Sequence, residues 1–78
     1  MSQSQHQFDR ALSDHRVRVY YGHVNGPYQH CDCARCLRAI APREGTAIGW
    51  WADGLARERR RYICADCTAQ IKQMEEAA

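Results

Sequence analysis

The sequence has little of what usually stabilises or targets a small protein. Its five cysteines are an odd number, which argues against a closed disulfide framework in a chain of 78 residues. Large aliphatic residues are sparse, so apolar packing alone would give a thin core. No apolar run approaches the roughly 20 residues of a membrane helix, and the N-terminus MSQSQHQFDR lacks the apolar stretch of a secretory signal. We therefore expect one cytoplasmic domain, with no membrane partner, that is held together by a metal.

The charge composition excludes a generally basic nucleic-acid binder. Eleven basic residues against nine acidic ones give a formal net charge of +2. Four thiolates around one Zn²⁺ would lower this charge by about two, to near zero. The distribution is uneven, because residues 31–63 contain seven Arg against four acids, whereas residues 64–78 contain one Lys against three acids. Any basic contact surface must therefore be local.

Two short elements are predicted ahead of the cysteines. Residues 1–7 have no apolar periodicity and are predicted to be a disordered tail. Apolar residues at helical spacing from Phe8 onward predict a short helix, which is marginal in water without a packing partner. Strict alternation over residues 16–21 then predicts a half-buried strand, ended by the turn signal at residues 22–27. Residues 8–30 are thus expected to pack as a helix and a strand on the remainder of the domain.

Two Cys-x2-Cys pairs carry the clearest chemical signal. The first is CARC and the second is CADC, with 27 residues between them. Two intervening residues let both sulfurs of a tight turn reach one ion at about 2.3 Å, and two such turns complete a tetrahedron. The predicted ligands of one structural Zn²⁺ are Cys33, Cys36, Cys64 and Cys67. Four thiolates leave no open position for water, so we predict neither an enzyme nor a small-molecule substrate.

Cys31 and the nearby histidines leave alternatives open. Cys31 and Cys33 are too close for both to be favoured in one knuckle, so Cys31 is expected to be a free thiol. The alternative is that Cys31 replaces Cys33 as a ligand. A second metal site formed by His23, His30 and Cys31 is a further alternative to solvated histidines. We assign the histidines no role.

The stretch between the cysteine pairs predicts a β-hairpin. Asp53-Gly54 separates two strand-like runs and is typical of a type I′ turn, whose central residues both need positive φ. With these two residues as the loop, Trp50 would face Arg57, Ile48 would face Arg59 and Thr46 would face Arg61. The opposite face would carry small residues and Arg60. The candidate partner-binding residues on this hairpin are Trp50, Arg57, Arg59, Arg60 and Arg61.

A helix is predicted to start at the second cysteine pair. Cys67, Ile71 and Met74 lie at i, i+4 and i+7, which places the last ligand and two apolar residues on one stripe. Asp66 is an acidic residue in the first turn, where the helix dipole favours negative charge. The helix is therefore expected to begin at the metal site.

A Cys-x2-Cys turn, a hairpin and a second Cys-x2-Cys entering a helix together resemble a treble-clef zinc finger. The resemblance covers about Cys33 to Met74 and includes CARCLRAIAPREG. It implies that Ile40 packs beneath the zinc and that Gly45 opens the hairpin, although Leu37 stands where a glycine commonly follows the knuckle. It implies an α+β fold with a zinc knuckle, a hairpin and a C-terminal helix over residues 31–78, to which the N-terminal helix and strand are added. Treble clefs serve many functions, so the fold alone fixes none.

The functional hypothesis is a noncatalytic regulatory module acting in transcription. It would contact nucleic acid, or a protein of a nucleic-acid machine such as RNA polymerase, through Trp50 and the arginines of residues 57–61. The alternative is a protein-interaction adaptor or inhibitor with a purely structural zinc and no nucleic-acid affinity. That adaptor would use the same hairpin or an apolar face with Tyr20, Tyr21 and Trp51. A third interpretation is structural, with arginine stems that cover Trp50 and shield a sheet edge.

Overall fold

The first helix packs through its few apolar residues. In the computed structural model, which describes residues 3–51 and 57–77, α1 spans Gln3–Ser13. Phe8 and Ala11 are fully buried, as the helical spacing predicts. The helix starts five residues before Phe8, so the prediction of a disordered tail over residues 1–7 is wrong for residues 3–7. Packing of Phe8 supplies the costly helix nucleus, and extension toward the N-terminus then adds a hydrogen bond per residue.

A Schellman motif ends α1. His15 adopts a left-handed conformation with φ 60°. The backbone N–H of Arg16 donates to the carbonyl of Ala11 at 2.8 Å, and that of His15 donates to Leu12 at 3.1 Å. This pattern usually has glycine at the left-handed position. The chain turns sharply here and enters the first strand one residue later.

Three antiparallel strands form the main sheet, in the order β1-β4-β5. β1 spans Val17–Val24, β4 spans Thr46–Trp50 and β5 spans Arg59–Ile63. The predicted N-terminal strand therefore does extend the hairpin into a three-stranded sheet. β1 continues into the predicted turn at residues 22–27 and ends at Val24, because Gly22 takes φ 87° inside an irregularity of the β1 and β4 pairing and lets the strand resume.

The register of the β4 and β5 hairpin differs from the prediction. Ile48 faces Arg61 and Trp50 faces Arg59, so the pairing is shifted by two residues, and Arg57 precedes the strand. The predicted turn residues Asp53 and Gly54 lie outside the described residues. A shift of two preserves the alternation, so the predicted faces of the paired residues survive the error.

A second, two-stranded sheet and a second helix complete the described fold. β2, which spans Cys31–Asp32, pairs with β3, which spans Ala39–Ile40, to form a second sheet around the first Cys-x2-Cys turn. α2 spans Ala65–Ala77 and begins immediately after Cys64. Within α2, Cys67 and Ile71 are buried as predicted, whereas Met74 is 43% exposed. The described residues thus form a small α+β fold with two helices and two antiparallel sheets.

A single apolar cluster joins these elements. It lies on the face of the main sheet that carries Val17, Ile48 and Ile63, and Phe8 of α1 and Ile71 of α2 pack into it together with Cys33 and Cys67. We call this the inner face of the sheet. Neither of the helices in the described part of the chain is long and apolar enough to cross a membrane.

Candidate metal centre

The first cysteine pair lies on a tight turn closed by backbone hydrogen bonds. The N–H of Cys33 donates to the carbonyl of Arg38 at 2.8 Å, and the N–H of Leu37 donates to Cys33 at 2.9 Å. Leu37 adopts φ 66°, the left-handed conformation that favours glycine. The turn also directs the N–H of Cys36 toward the Cys33 sulfur at 3.4 Å. Both sulfurs therefore lie on the same side of the turn.

The second pair is positioned by the start of α2. Cys64 occupies the N-cap position, and its sulfur accepts the N–H of Cys67 at 3.4 Å. The hydroxyl of Thr68 donates to the Cys64 carbonyl at 2.8 Å and closes the first turn. The N–H of Cys64 in turn donates to the sulfur of Cys33 at 3.3 Å, which links the two cysteine pairs.

The four sulfurs converge on one point. The ligand atoms of Cys33, Cys36, Cys64 and Cys67 all lie within 4.8 Å of one another, and the sulfurs of Cys36 and Cys64 are 3.6 Å apart. Zn²⁺ bound tetrahedrally at about 2.3 Å would place its sulfurs about 3.8 Å apart. The cluster is therefore compact enough to hold one metal ion, and an all-sulfur set suits a soft or borderline cation such as zinc.

Burial and hydrogen bonds shift the pKa of Cys33, Cys64 and Cys67 in different directions. Burial acts to raise the pKa of Cys33, but backbone N–H groups of Cys36, Cys64 and Arg35 outweigh it and lower that pKa to about 7. Burial raises the pKa of Cys64 and of Cys67. Because thiolates are the metal ligands, a bound cation reverses such increases by stabilising the deprotonated form. The protein itself thus favours deprotonation of Cys33 over that of Cys64 and Cys67.

Arg35, inside the first Cys-x2-Cys turn, is a functional residue that sequence reasoning missed. It is only 5% exposed, and its Nε donates to Asp9 Oδ1 at 2.8 Å. Its Nη1 donates to Gln70 Oε1 at 2.6 Å and to the Cys67 sulfur at 3.6 Å. The ion pair with Asp9 raises the pKa of Arg35, so the guanidinium stays charged. It places a positive charge beside a cluster that carries a net charge of about −2 when zinc is bound to four thiolates.

Asn25 fixes the loop before the knuckle. It is buried, and its Nδ2 donates to the carbonyls of Gln29 at 2.7 Å and Ala41 at 3.0 Å. Its Oδ1 accepts the N–H of Gly45 at 2.9 Å. A Cβ on Gly45 would lie 3.0 Å from Ile40 Cγ2, so only glycine fits this approach easily. Ile40 is itself buried in the core cluster.

Cys31 and the histidines are not part of the sulfur cluster. Among the described residues, the four cysteines form the only group of His, Cys, Asp or Glu side chains close enough to hold an ion. Cys31 instead pairs with Ile40 across the small sheet, and its sulfur accepts a 3.8 Å hydrogen bond from Asn25. His23 and His30 are exposed. The alternatives of a Cys31 ligand and of a second metal site therefore have no support in this arrangement.

The predicted partner-binding residues are distributed over two faces of the main sheet. Trp50 is half-buried on the inner face, where its ring packs edge-on against Phe8 at 5.4 Å between centroids. Arg59 and Arg61 follow the same alternation and are exposed at the edge strand. Arg60 points to the opposite face, with its guanidinium 4.6 Å from the Tyr20 ring centroid. The remaining candidate, Arg57, is exposed and lies before the strand.

Comparison with known proteins does not identify a family for this chain. No protein-family model, no curated protein and no solved structure matches it. The functional conclusion must therefore come from the site itself.

Proposed function

We propose that one structural Zn²⁺ binds the four cysteines and that the chain around it is a treble-clef module. The convergence of the four sulfurs within 4.8 Å carries this proposal. The order of the parts supports it, since a β2 and β3 knuckle is followed by the β4 and β5 hairpin and then by a helix that starts between the second pair of cysteines. In such a module the metal links the knuckle to the helix and adds stability that a small core lacks.

The module is noncatalytic in this proposal. A metal held by four thiolates has no open coordination position, so it cannot activate water or polarise a substrate. The backbone N–H bonds to Cys33 and the guanidinium beside Cys67 stabilise thiolate charge and so favour a permanent site over an exchangeable one. The function then lies in what the surface of the domain contacts.

The contact proposed is with nucleic acid, or with a protein of a nucleic-acid machine such as RNA polymerase, in a regulatory role in transcription in the cytoplasm. Three consecutive arginines on β5, at residues 59–61, supply guanidinium groups for phosphate or carboxylate recognition. They are exposed on the edge strand of the main sheet. The half-buried position of Trp50 against Phe8 leaves these arginines, rather than Trp50, as the contact groups.

The competing candidate is an adaptor or inhibitor that recognises protein alone. Its support is that the holo protein has a net charge near zero, which limits the number of phosphates it can neutralise. Arg59 and Arg61 also lie directly opposite Trp50 and Ile48, so their aliphatic stems cover the hairpin as well as presenting charge. An adaptor would show no salt-dependent binding to any nucleic acid.

Two measurements test the proposal. Native mass spectrometry of the folded protein should find one zinc per chain, and chelation should remove most ordered structure by circular dichroism. A gel shift at about 50 mM salt with RNA, single-stranded DNA and duplex DNA separates the nucleic-acid binder from the adaptor. Charge reversal in Arg59→Glu and Arg61→Glu should abolish the contact and leave zinc bound. Folded protein without metal would refute the zinc proposal, and absence of any shift would refute contact with nucleic acid and favour the adaptor.

A further inference from the structure

The second face of the main sheet carries a separate group of side chains. Arg18 and Tyr20 of β1 lie opposite Gly49 and Ala47 of β4, and those two residues lie opposite Arg60 and Tyr62 of β5. All of them alternate with the core residues of the inner face. We call this the outer face. Because the buried side chains of α1 and α2 pack into the inner cluster, the two helices lie on the other side of the sheet.

Two pairs of flat groups are held on the outer face. The guanidinium of Arg18 lies 5.8 Å from the ring centroid of Trp51, and that of Arg60 lies 4.6 Å from the ring centroid of Tyr20. The Tyr20 hydroxyl donates to Glu58 Oε2 at 2.5 Å, and Glu58 Oε1 forms an ion pair with Arg60 at 3.7 Å. Each ring is therefore fixed by a partner before any ligand arrives.

The floor under these groups is made of small residues. Gly49 is buried, and Ala47 is 2% exposed. A Cβ at Gly49 would overlap the carboxylate of Glu58 and would lie 3.1 Å from the Tyr20 hydroxyl. The side-chain layer thus rests directly on the backbone of the central strand, which gives a flat and close-packed platform.

We infer that the outer face binds single-stranded nucleic acid. Unpaired bases would stack on Trp51 and on the guanidinium plane of Arg60, while Arg18 and Arg60 would contact phosphates. Aromatic rings and guanidinium planes on an open antiparallel sheet are the groups on which splayed bases stack. The inference specifies the proposed function and rests on it, since it names the strandedness of the nucleic acid and moves the centre of contact from the exposed arginines of β5 to Trp51, Arg18 and Arg60 on the outer face.

Single strands fit this face better than duplexes. Duplex binding is dominated by the number of phosphates that are neutralised, and the near-zero charge of the holo protein supplies few such contacts. Stacking requires base faces that a duplex keeps inside. The carboxylate of Glu58 within the layer also opposes a dense phosphate backbone more than it opposes stacked bases.

The test measures binding of a fluorescent oligonucleotide by anisotropy. The zinc-loaded full chain is titrated into oligo(dT), oligo(U) and a duplex of the same length, each about 12 nucleotides, at about 50 mM salt. We expect at least tenfold tighter binding to the single strands. Trp51→Ala should weaken that binding by about 5- to 100-fold, which corresponds to the loss of one stacked base. Arg60→Gln should make the salt dependence shallower by about 0.7 in the slope of log K against log salt.

Matched variants separate the effect of the outer face on binding from the effects of net charge and of folding. Arg10→Gln removes the same charge from an exposed position on α1 and should bind like wild type. Glu58→Gln keeps the hydrogen bond to Tyr20, removes a negative charge and should tighten binding roughly two- to fivefold. Zinc content and circular dichroism establish that each variant is folded.

The outcomes distinguish this inference from the function on which it rests. If the wild type binds single strands but Trp51→Ala and Arg60→Gln bind equally well, the inference is wrong. Loss of binding in Arg59→Gln with Arg61→Gln would then place the contact on the inner edge and preserve the proposed function. Tighter binding to the duplex also overturns the inference alone. If no nucleic acid binds the wild type, the inference and the nucleic-acid part of the proposed function are both wrong, and an acidic protein surface becomes the partner to test.

Discussion

Replacing Arg35 with methionine tests whether α1 is coupled to the metal centre through a buried charge. Arg35 is 5% exposed and spans three elements, since its guanidinium donates to Asp9 on α1 at 2.8 Å and to Gln70 on α2 at 2.6 Å. Methionine keeps an unbranched stem in the same space but has no donor. Asp9, Gln70 and the Cys67 sulfur each lose a hydrogen-bond partner in this variant.

The loss of stability in Arg35→Met depends on how well water can solvate the side chains that Arg35 no longer contacts. Removing one partner of a buried ion pair costs about 3 to 5 kcal/mol when the remaining charge stays buried. The side chain of Asp9 is 36% exposed, so water recovers part of that cost. The lost hydrogen bonds to a charged group contribute about 1.5 to 3 kcal/mol. We therefore expect the free energy of unfolding to fall by about 2 to 3 kcal/mol.

The assay is urea unfolding of the zinc-loaded protein, followed by circular dichroism. Arg38→Met is the matched control, because Arg38 forms an ion pair with Asp66 at 3.3 Å in which both side chains are more than 70% exposed. That variant should change stability by no more than about 0.5 kcal/mol. Arg35→Lys should fall between, since it restores charge without the planar fork. Equal urea midpoints for Arg35→Met and wild type would refute the coupling.

Three other outcomes follow from the described contacts. Cys36→Ser should lose metal and ordered structure by native mass spectrometry and circular dichroism, whereas Cys31→Ser, outside the sulfur cluster, should keep both. Leu37→Gly should increase the free energy of unfolding by about 1 kcal/mol and so raise the urea midpoint, because a left-handed residue with φ 66° is replaced by one without a Cβ. Burial and a hydrogen bond to Glu75 raise the pKa of Tyr21 from its usual value of 10.0 to about 12. The stability that the neutral phenol provides is therefore complete below pH 10.0 and is lost as the pH rises toward 12. Tyr21→Phe should flatten that alkaline loss in urea midpoints measured from pH 9 to 12, and an unchanged slope would contradict the assignment.

The cluster of four cysteines could be predicted because its signal is local. Each Cys-x2-Cys turn fixes two sulfurs by itself, so only the approach of the two turns depends on the rest of the fold. The start of α2 at the second pair followed from the spacing of Cys67 and Ile71 for the same reason. Local periodicity also predicted β1 and the buried residues of α1, whose faces the structure confirms.

Residues whose role depends on distant partners gave no such signal. Arg35 lies 26 residues from Asp9 and 35 from Gln70, and nothing in CARC marks it as buried rather than solvated. Asn25 was read only as part of a turn, although it binds the backbone of Ala41 and Gly45. The predicted hairpin register is wrong because it rests on Asp53-Gly54 as the two loop residues, and a local turn preference does not fix the pairing of the strands. The observed pairing of Trp50 with Arg59 is shifted from it by two residues.

The two adjacent tryptophans lie on opposite sides of the sheet, because side chains alternate in direction along a strand. Trp50 belongs to the inner face, where its contact with Phe8 helps attach α1 to the core. Trp51 follows it and meets Arg18, which the strand register places on the outer face. Removing Trp50 therefore disturbs the packing that positions the helices, whereas Trp51 lies away from that cluster. A hairpin with one aromatic ring on each side can anchor a small core and still offer a ring for contact, because neighbouring residues of a strand point to opposite faces.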